Sequence, residues 1–220
     1  MGVIRHALDE ERLNELFYLI GLLRDGSVYY DRMSRNYYIV WYSKSRDFLE
    51  CVVAPKLSRT FPHIRLWMDQ YKKGHWRIRI SNREIYHMVK TSFEFPDEHL
   101  GQRYWGIPAL VREADMPLKL SHIRGIADAE GDVSLVNKYI EISQKNYEVL
   151  QWIKVTLHEV GISTGDIILA DRKSLTYKIV ISQRMAVVLF NKLVNFEHPL
   201  KKLQLERLVN FYPTARRQQT

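Results

Sequence analysis

One short segment occurs twice in this chain, and the repeat limits what the chain can fold into. Tyr18–Gly26 reads YLIGLLRDG and Ile123–Gly131 reads IRGIADAEG, about a hundred residues later. Each copy is an apolar stretch with helical spacing that ends in a carboxylate followed by glycine. Each then runs into strand-like sequence, GSVYYDRM after the first and GDVSLVNKYIEIS after the second. Two further pairs match in the same order: YIVWYSKS (Tyr38–Ser45) with YIEISQKN (Tyr139–Asn146), and RIRISNRE (Arg77–Glu84) with KIVISQRM (Lys178–Met185). A duplicated unit of this length folds as two equivalent halves. Equivalent helices can meet at one axis and deliver Asp25 and Glu130 to a shared point, where paired carboxylates can hold divalent metal for phosphodiester chemistry.

Each half reads as αββαββα, a mixed α+β class. In the first, Leu13, Leu16, Phe17, Ile20 and Leu23 share a helical face, and Gly26 is expected to stop that helix. Strands are expected over Ser27–Met33, Tyr37–Ser43, His63–Tyr71 and His75–Ser81, with helices over Arg46–Ser58 and Asn82–Lys90. In the second, Pro117 suits the first turn of a helix that runs to Glu130. Strands follow over Asp132–Val136, Lys138–Ser143, Ser163–Ala170 and Ser174–Ser182. Helices cover Asn146–Glu159, Arg184–Asn195 and Pro199–Phe211. Residues 93–116, with Pro96, Gly101, Gly106 and Pro108, have no counterpart and read as a linker. The halves are then residues 1–92 and 117–220.

Composition narrows the partners. With 46% hydrophobic residues the chain can bury a core, and its net charge of +8 favours polyanions, nucleic acid above all. The single cysteine, Cys51, lies in the run FLECVVAP and reads as a small buried hydrophobe on a helix. It allows no intrachain disulfide, which suits a reducing cytoplasm. No apolar run reaches membrane-span length, and the N-terminus lacks a signal-peptide core. An intracellular, soluble protein with no membrane partner is the expectation. The eight histidines show no HxxxH or HExxH spacing, and CxxC, P-loop and GxGxxG motifs are absent, which argues against structural zinc and nucleotide hydrolysis.

Asp25 and Glu130 carry the chemistry. A carboxylate at a helix C-terminus faces the negative end of the macrodipole, so stability does not recommend it there, and a cation or bound metal would compensate. A surface acid-glycine helix stop explains one copy as well, but two in a repeated frame far less. Gly125 and Ala129, spaced i, i+4, would let two helix backbones approach, although ordinary small residues on a buried helix read the same way.

These motifs resemble the LAGLIDADG homing endonucleases, IRGIADAEG closely and YLIGLLRDG more loosely, since Ile20 and Arg24 stand where that family has small residues. The resemblance covers about Leu13 to Phe211 and is strongest to single-chain, two-motif members such as those encoded in archaeal introns. It implies a pseudo-twofold pair of antiparallel sheets forming a DNA-binding saddle. It also implies a monomeric, site-specific double-strand endonuclease that cuts a long asymmetric target to leave short 3′ overhangs. Asp25 and Glu130 would then bind Mg²⁺, with Mn²⁺ as a substitute. The backbone around Arg24 stays unassigned as a metal donor. Asp132 ranks as a strand-start residue, and Asp128 lies on another helical face from Glu130. The resemblance further implies a lysine or glutamine near the scissile phosphates at the end of the second strand of each half. Lys44, Gln144 and Lys145 hold those places, where a lysine would assist water activation or stabilise developing charge. A solvated strand-end lysine is the plain alternative.

For the DNA-facing surface, Trp76, Ile78 and Ile80 alternate with Arg77 and Arg79, and Arg65, Trp67, Asp69 and Tyr71 share a face. In the second half Leu175, Tyr177, Ile179 and Ile181 alternate with Thr176 and Lys178. Outward Arg77, Arg79 and Lys178 can read base edges, the turn clusters Lys72-Lys73 and Arg172-Lys173 can reach phosphates, and Arg32 and Arg65 complete the DNA-binding set; a solvated sheet face is the plain alternative. Arg216 and Arg217 read as a basic tail. The rival reading is a non-catalytic binder on the same scaffold, an intron-splicing maturase acting on intron RNA or a DNA-binding regulator; an unrelated basic module ranks third.

Overall fold

The computed structural model describes residues 8–97 and 102–211. Helix α1 (Glu10–Leu22) is capped by Asp9, whose carboxylate accepts from the Arg12 N–H at 2.9 Å. Leu16, Phe17, Tyr18, Leu19 and Ile20 are all buried, so the helix is enclosed on every side rather than along one stripe. A 3₁₀ turn, Leu23–Asp25, leads into β1 (Gly26–Asp31), which pairs with β2 (Asn36–Ser43). Helix α2 spans residues 46–60 and contains a π-helical turn, Leu49–Val53. Strands β3 (Leu66–Lys72) and β4 (His75–Ser81) follow, then α3 (Arg83–Thr91), capped by Asn82.

After a 3₁₀ turn (Gln102–Tyr104) and the short α4 (Ala109–Arg112), the plan repeats. It runs α5 (Met116–Glu130), β5 (Gly131–Ser134), β6 (Tyr139–Gln144), α6 (Tyr147–Glu159), β7 (Ile168–Asp171), β8 (Thr176–Ile181) and α7 (Arg184–Leu193). Helix α8 (Pro199–Asn210) follows. The two sheets are antiparallel and ordered alike, β1-β2-β4-β3 and β5-β6-β8-β7. Their registers match: Gly26 faces Trp41 in the first, and Gly131 faces Ile142 in the second. The fold is thus the mixed α+β duplication that the sequence predicts.

The motif glycines stand where their helices stop, as expected, and both are extended, with φ −132° at Gly26 and −95° at Gly131. Glycine is needed because a Cβ would come within 2.6 Å of the Val40 carbonyl at Gly26, and of the Ala127 carbonyl at Gly131. Strand β7 starts at Ile168 rather than Ser163: the Thr164 N–H donates to His158 Nε2 at 3.1 Å and pulls the chain toward α6. Similarly, β3 starts at Leu66, after a left-handed residue at His63 (φ 72°). Cys51 is exposed, not buried; the π turn sends Leu49 and Val53 inward and leaves the thiol outside. The basic tail at 216–217 lies outside the described residues.

Candidate active site

The two motif helices touch backbone to backbone. A Cβ on Gly21 would lie 2.1 Å from the His122 carbonyl oxygen, and one on Gly125 would lie 2.1 Å from that of Tyr18. Polar groups cross the same seam. Ser121 donates to the Asn14 carbonyl at 2.7 Å, and His122 Nδ1 meets the Phe17 carbonyl at 3.1 Å. A carbonyl only accepts, so Nδ1 carries the proton, and burial drops this imidazole to a pKa of about 3, neutral at physiological pH. Tyr18 donates to Asp128 Oδ2 at 2.7 Å, closing the seam near its functional end. Gly125 makes the contact anticipated for it. Its partner is Gly21, which the repeat does not mark, because it lies one position away from Gly125 in the motif alignment.

This close approach brings Asp25 and Glu130 to one place. Both line a cleft of about 470 Å³ together with Arg24, Arg103, Gln144, Lys145, Ser174 and Thr176. Asp25 also borders a second hollow with Tyr42, Ser43, Lys44, Tyr71, Lys72 and His75. The strand-end residues thus fall on either side of the acid pair, Lys44 in one hollow and Gln144 with Lys145 in the other. Both acids reach solvent, yet the surrounding protein mass raises their pKa values. Burial lifts Glu130 to about 7, with the Asp25 charge second, and lifts Asp25 in the same direction. Ionised together, these carboxylates attract a hard cation. Among the described residues no cluster of three or more potential metal-binding side chains occurs. Two carboxylates, completed by water and phosphate oxygens, are the donor set that Mg²⁺ accepts, so the residues present fit the ion.

Arg24 stands where the resemblance expects a small residue. It is buried, stacks 4.1 Å from the Trp105 ring centre and donates to the Trp105 and Gly106 carbonyls. It ties residues 105–106 to the end of the first motif, and burial lowers its pKa to about 9. Asp128 is held away from the cleft, accepting from Tyr18 and from the Glu197 and His198 N–H groups at 3.0 and 3.1 Å. Asp132 lies exposed on β5. Lys201, absent from the sequence reading, donates to the last carbonyls of α5: Asp128 O at 2.6 Å and Ala127 O at 3.2 Å.

The sheet face away from the helices carries the other candidates. On the first sheet Arg77 faces Asp69 and is held by it through three hydrogen bonds of 2.8–3.1 Å, while Arg79 lies 5.5 Å from the Tyr38 ring centre. Arg65 sits 5.2 Å from the Trp67 ring, and Lys72 and Lys73 are exposed at the β3–β4 turn. Arg32 is exposed in the β1–β2 turn, and Arg172 and Lys173 in the β7–β8 turn. On the second sheet Lys178 is paired with Glu141 at 3.0 Å. The inward residues Ile78, Ile80, Ile179 and Ile181 are buried, as the alternation predicts.

Two fused repeats, each sending an acid-tipped helix to a shared seam beneath a four-stranded sheet, define a LAGLIDADG-type protein, and the LAGLIDADG-like domain model matches residues 117–195. The chain belongs to the LAGLIDADG homing endonucleases. Over 198 residues it is 35% identical to homing endonuclease I-ApeI of Aeropyrum pernix, covering 88% of this chain and 86% of that protein. Among solved structures, I-DmoI in complex with DNA and Ca superposes with a TM-score of 0.70 at 20% identity, covering 90% of this chain and all of that one. The N-terminal LAGLIDADG domain of DUF199/WhiA superposes at 0.55 and 18% identity, covering 86% of each chain. At these identities the structural likeness is one of fold. Among the described residues no helix is long and apolar enough to cross a membrane.

Proposed function

We propose that this protein is a divalent-metal-dependent endonuclease that hydrolyses both strands of duplex DNA at a long asymmetric site, leaving short 3′ overhangs. Mg²⁺ is the ion proposed, with Mn²⁺ able to replace it. Both acids and both sheets lie on one chain, which supports action as a monomer, and a DNA target goes with action inside the cell. The observation that carries the reading is the pair Asp25 and Glu130 in one cleft, set by the backbone contact at Gly21 and Gly125.

Bound metal would supply Lewis-acid stabilisation of the charge that builds on phosphate oxygens. Asp25 and Glu130 would hold it in the cleft they share. Lys44 on one side, and Gln144 with Lys145 on the other, would orient water and offset developing negative charge. Gln144 lines the cleft, is 7% exposed, and its buried amide nitrogen has no protein partner, which supports a donor role toward a phosphate or water there. Arg77, Arg79 and Lys178 would face base edges, while the turn cations would meet phosphates.

The test is cleavage of a library of candidate DNA sites with Mg²⁺, alongside Asp25→Asn and Glu130→Gln. Discrete double-strand breaks that vanish in both variants, with DNA binding retained, support the assignment. Tight binding of DNA or intron RNA without cleavage under any divalent ion would replace it with the non-catalytic binder.

A further inference from the structure

Two charges in this site stand against the dipoles of their own helices. Glu130 is the last residue of α5, where a carboxylate meets the negative helix end. Lys201 is in the first turn of α8, two residues after Pro199, where an ammonium meets the positive end. The fold brings the two misplaced charges together. Lys201 Nζ donates to the Asp128 and Ala127 carbonyls in the turn that ends at Glu130, the second of which also accepts the Gly131 N–H. Its charge also acts on Asp25, Glu130, Asp128 and Asp132. The side chain is held in place because Asp128 accepts from the Glu197 and His198 N–H groups, just before α8, and because Lys201 lies 6.0 Å from the Phe196 ring centre. Helix α8 follows only the second repeat, so the first motif has no equivalent cation from this source.

We propose that Lys201 is the resident counter-ion of the acid pair. It is a positioning residue that caps the end of α5, steadies Asp25 and Glu130 while no metal is bound, and opposes divalent binding through its own charge. The inference rests on these two acids being the metal ligands. The sign follows from charge alone: a fixed cation near the site stabilises the metal-free carboxylates and repels an incoming divalent ion. Its removal should destabilise the metal-free protein and tighten metal binding. A purely structural lysine would weaken both when lost.

The experiment measures Mn²⁺ binding to the full chain by calorimetry, and the Tm with and without Mn²⁺. It compares the wild type with Lys201→Met, Lys201→Gln, Lys201→Arg and, as a control for net charge, the exposed Lys202→Met. Lys201→Met, or Lys201→Gln if the first fails to fold, should lower the metal-free Tm and tighten Mn²⁺ about three- to tenfold, as expected for loss of one nearby charge. Lys201→Arg should keep the wild-type values, and Lys202→Met should leave Mn²⁺ affinity unchanged. Unchanged or weaker Mn²⁺ binding in both neutral variants would overturn the counter-ion. Mn²⁺ binding that survives intact in Asp25→Asn and Glu130→Gln, or is absent from the wild type, would instead overturn the ligand assignment and the inference with it.

Discussion

Glu130 is the residue whose protonation decides what the site can do at a given pH. Its pKa is raised from the ordinary 4.5 to about 7, mainly by burial and then by Asp25. Between those values the folded protein holds a proton that the unfolded chain has lost, so ionising Glu130 costs stability as pH rises through that window. A divalent ion must displace the same proton below pH 7. The Mg²⁺ concentration for half-maximal cleavage should therefore rise about tenfold per pH unit below 7 and level off above it, in a metal titration at each pH. A requirement flat from pH 6 to 8 would show that Glu130 is already ionised. At Asp128, two oxygens accept three protons, from Tyr18, Glu197 N–H and His198 N–H. Asn offers one acceptor, so Asp128→Asn should cost about 1–3 kcal/mol in urea unfolding. The two candidate acids stood out in the sequence because a carboxylate at a helix end, repeated in a duplicated frame, has no stabilising reason to be there. Arg24 and Lys201 did not, since their partners are backbone carbonyls at 105, 106, 127 and 128, and backbone acceptors leave no mark in a side-chain pattern.

Helix α1 and helix α5 depend on two glycines without side chains to spare. At Gly21 and Gly125 a methyl group would overlap a carbonyl of the facing helix at 2.1 Å, and rigid backbone cannot move aside cheaply. Gly21→Ala and Gly125→Ala should each cost about 2–3 kcal/mol. They should also reduce cleavage more than DNA binding, because Asp25 and Glu130 lie at the separating ends. Equal loss of binding and cleavage would mean that the seam only supports the fold. Element order and type could be read from apolar spacing and from the caps at Asn82 and Asn146, both of which accept backbone hydrogen bonds at their helix starts. Local pattern did not show the π turn around Cys51 or the late start of β7, because the first shifts the helical phase within a continuous run and the second depends on His158, on a different element.

Across the whole molecule the outward cations fall into two kinds. Arg77 is paired with Asp69 and Lys178 with Glu141 on the sheet faces, whereas Lys72, Lys73, Arg172 and Lys173 are exposed at the turns. A cation that has no protein partner contributes to binding by releasing condensed counter-ions from a phosphate, and one that is already paired contributes less. Lys73→Ala should therefore lower the slope of log K against log salt by about 0.9 if Lys73 meets one phosphate, with a similar loss in affinity for every sequence. Lys178→Ala and Arg77→Ala should leave that slope nearly unchanged while relaxing preference at one base pair, since held side chains suit reading base edges. Anisotropy titrations across a salt series, repeated with single-base variants of the target, separate the two effects. If paired and unpaired cations changed the slope alike, the ion pairs on the sheets would have to open on binding, and the division between phosphate contact and base reading would fail.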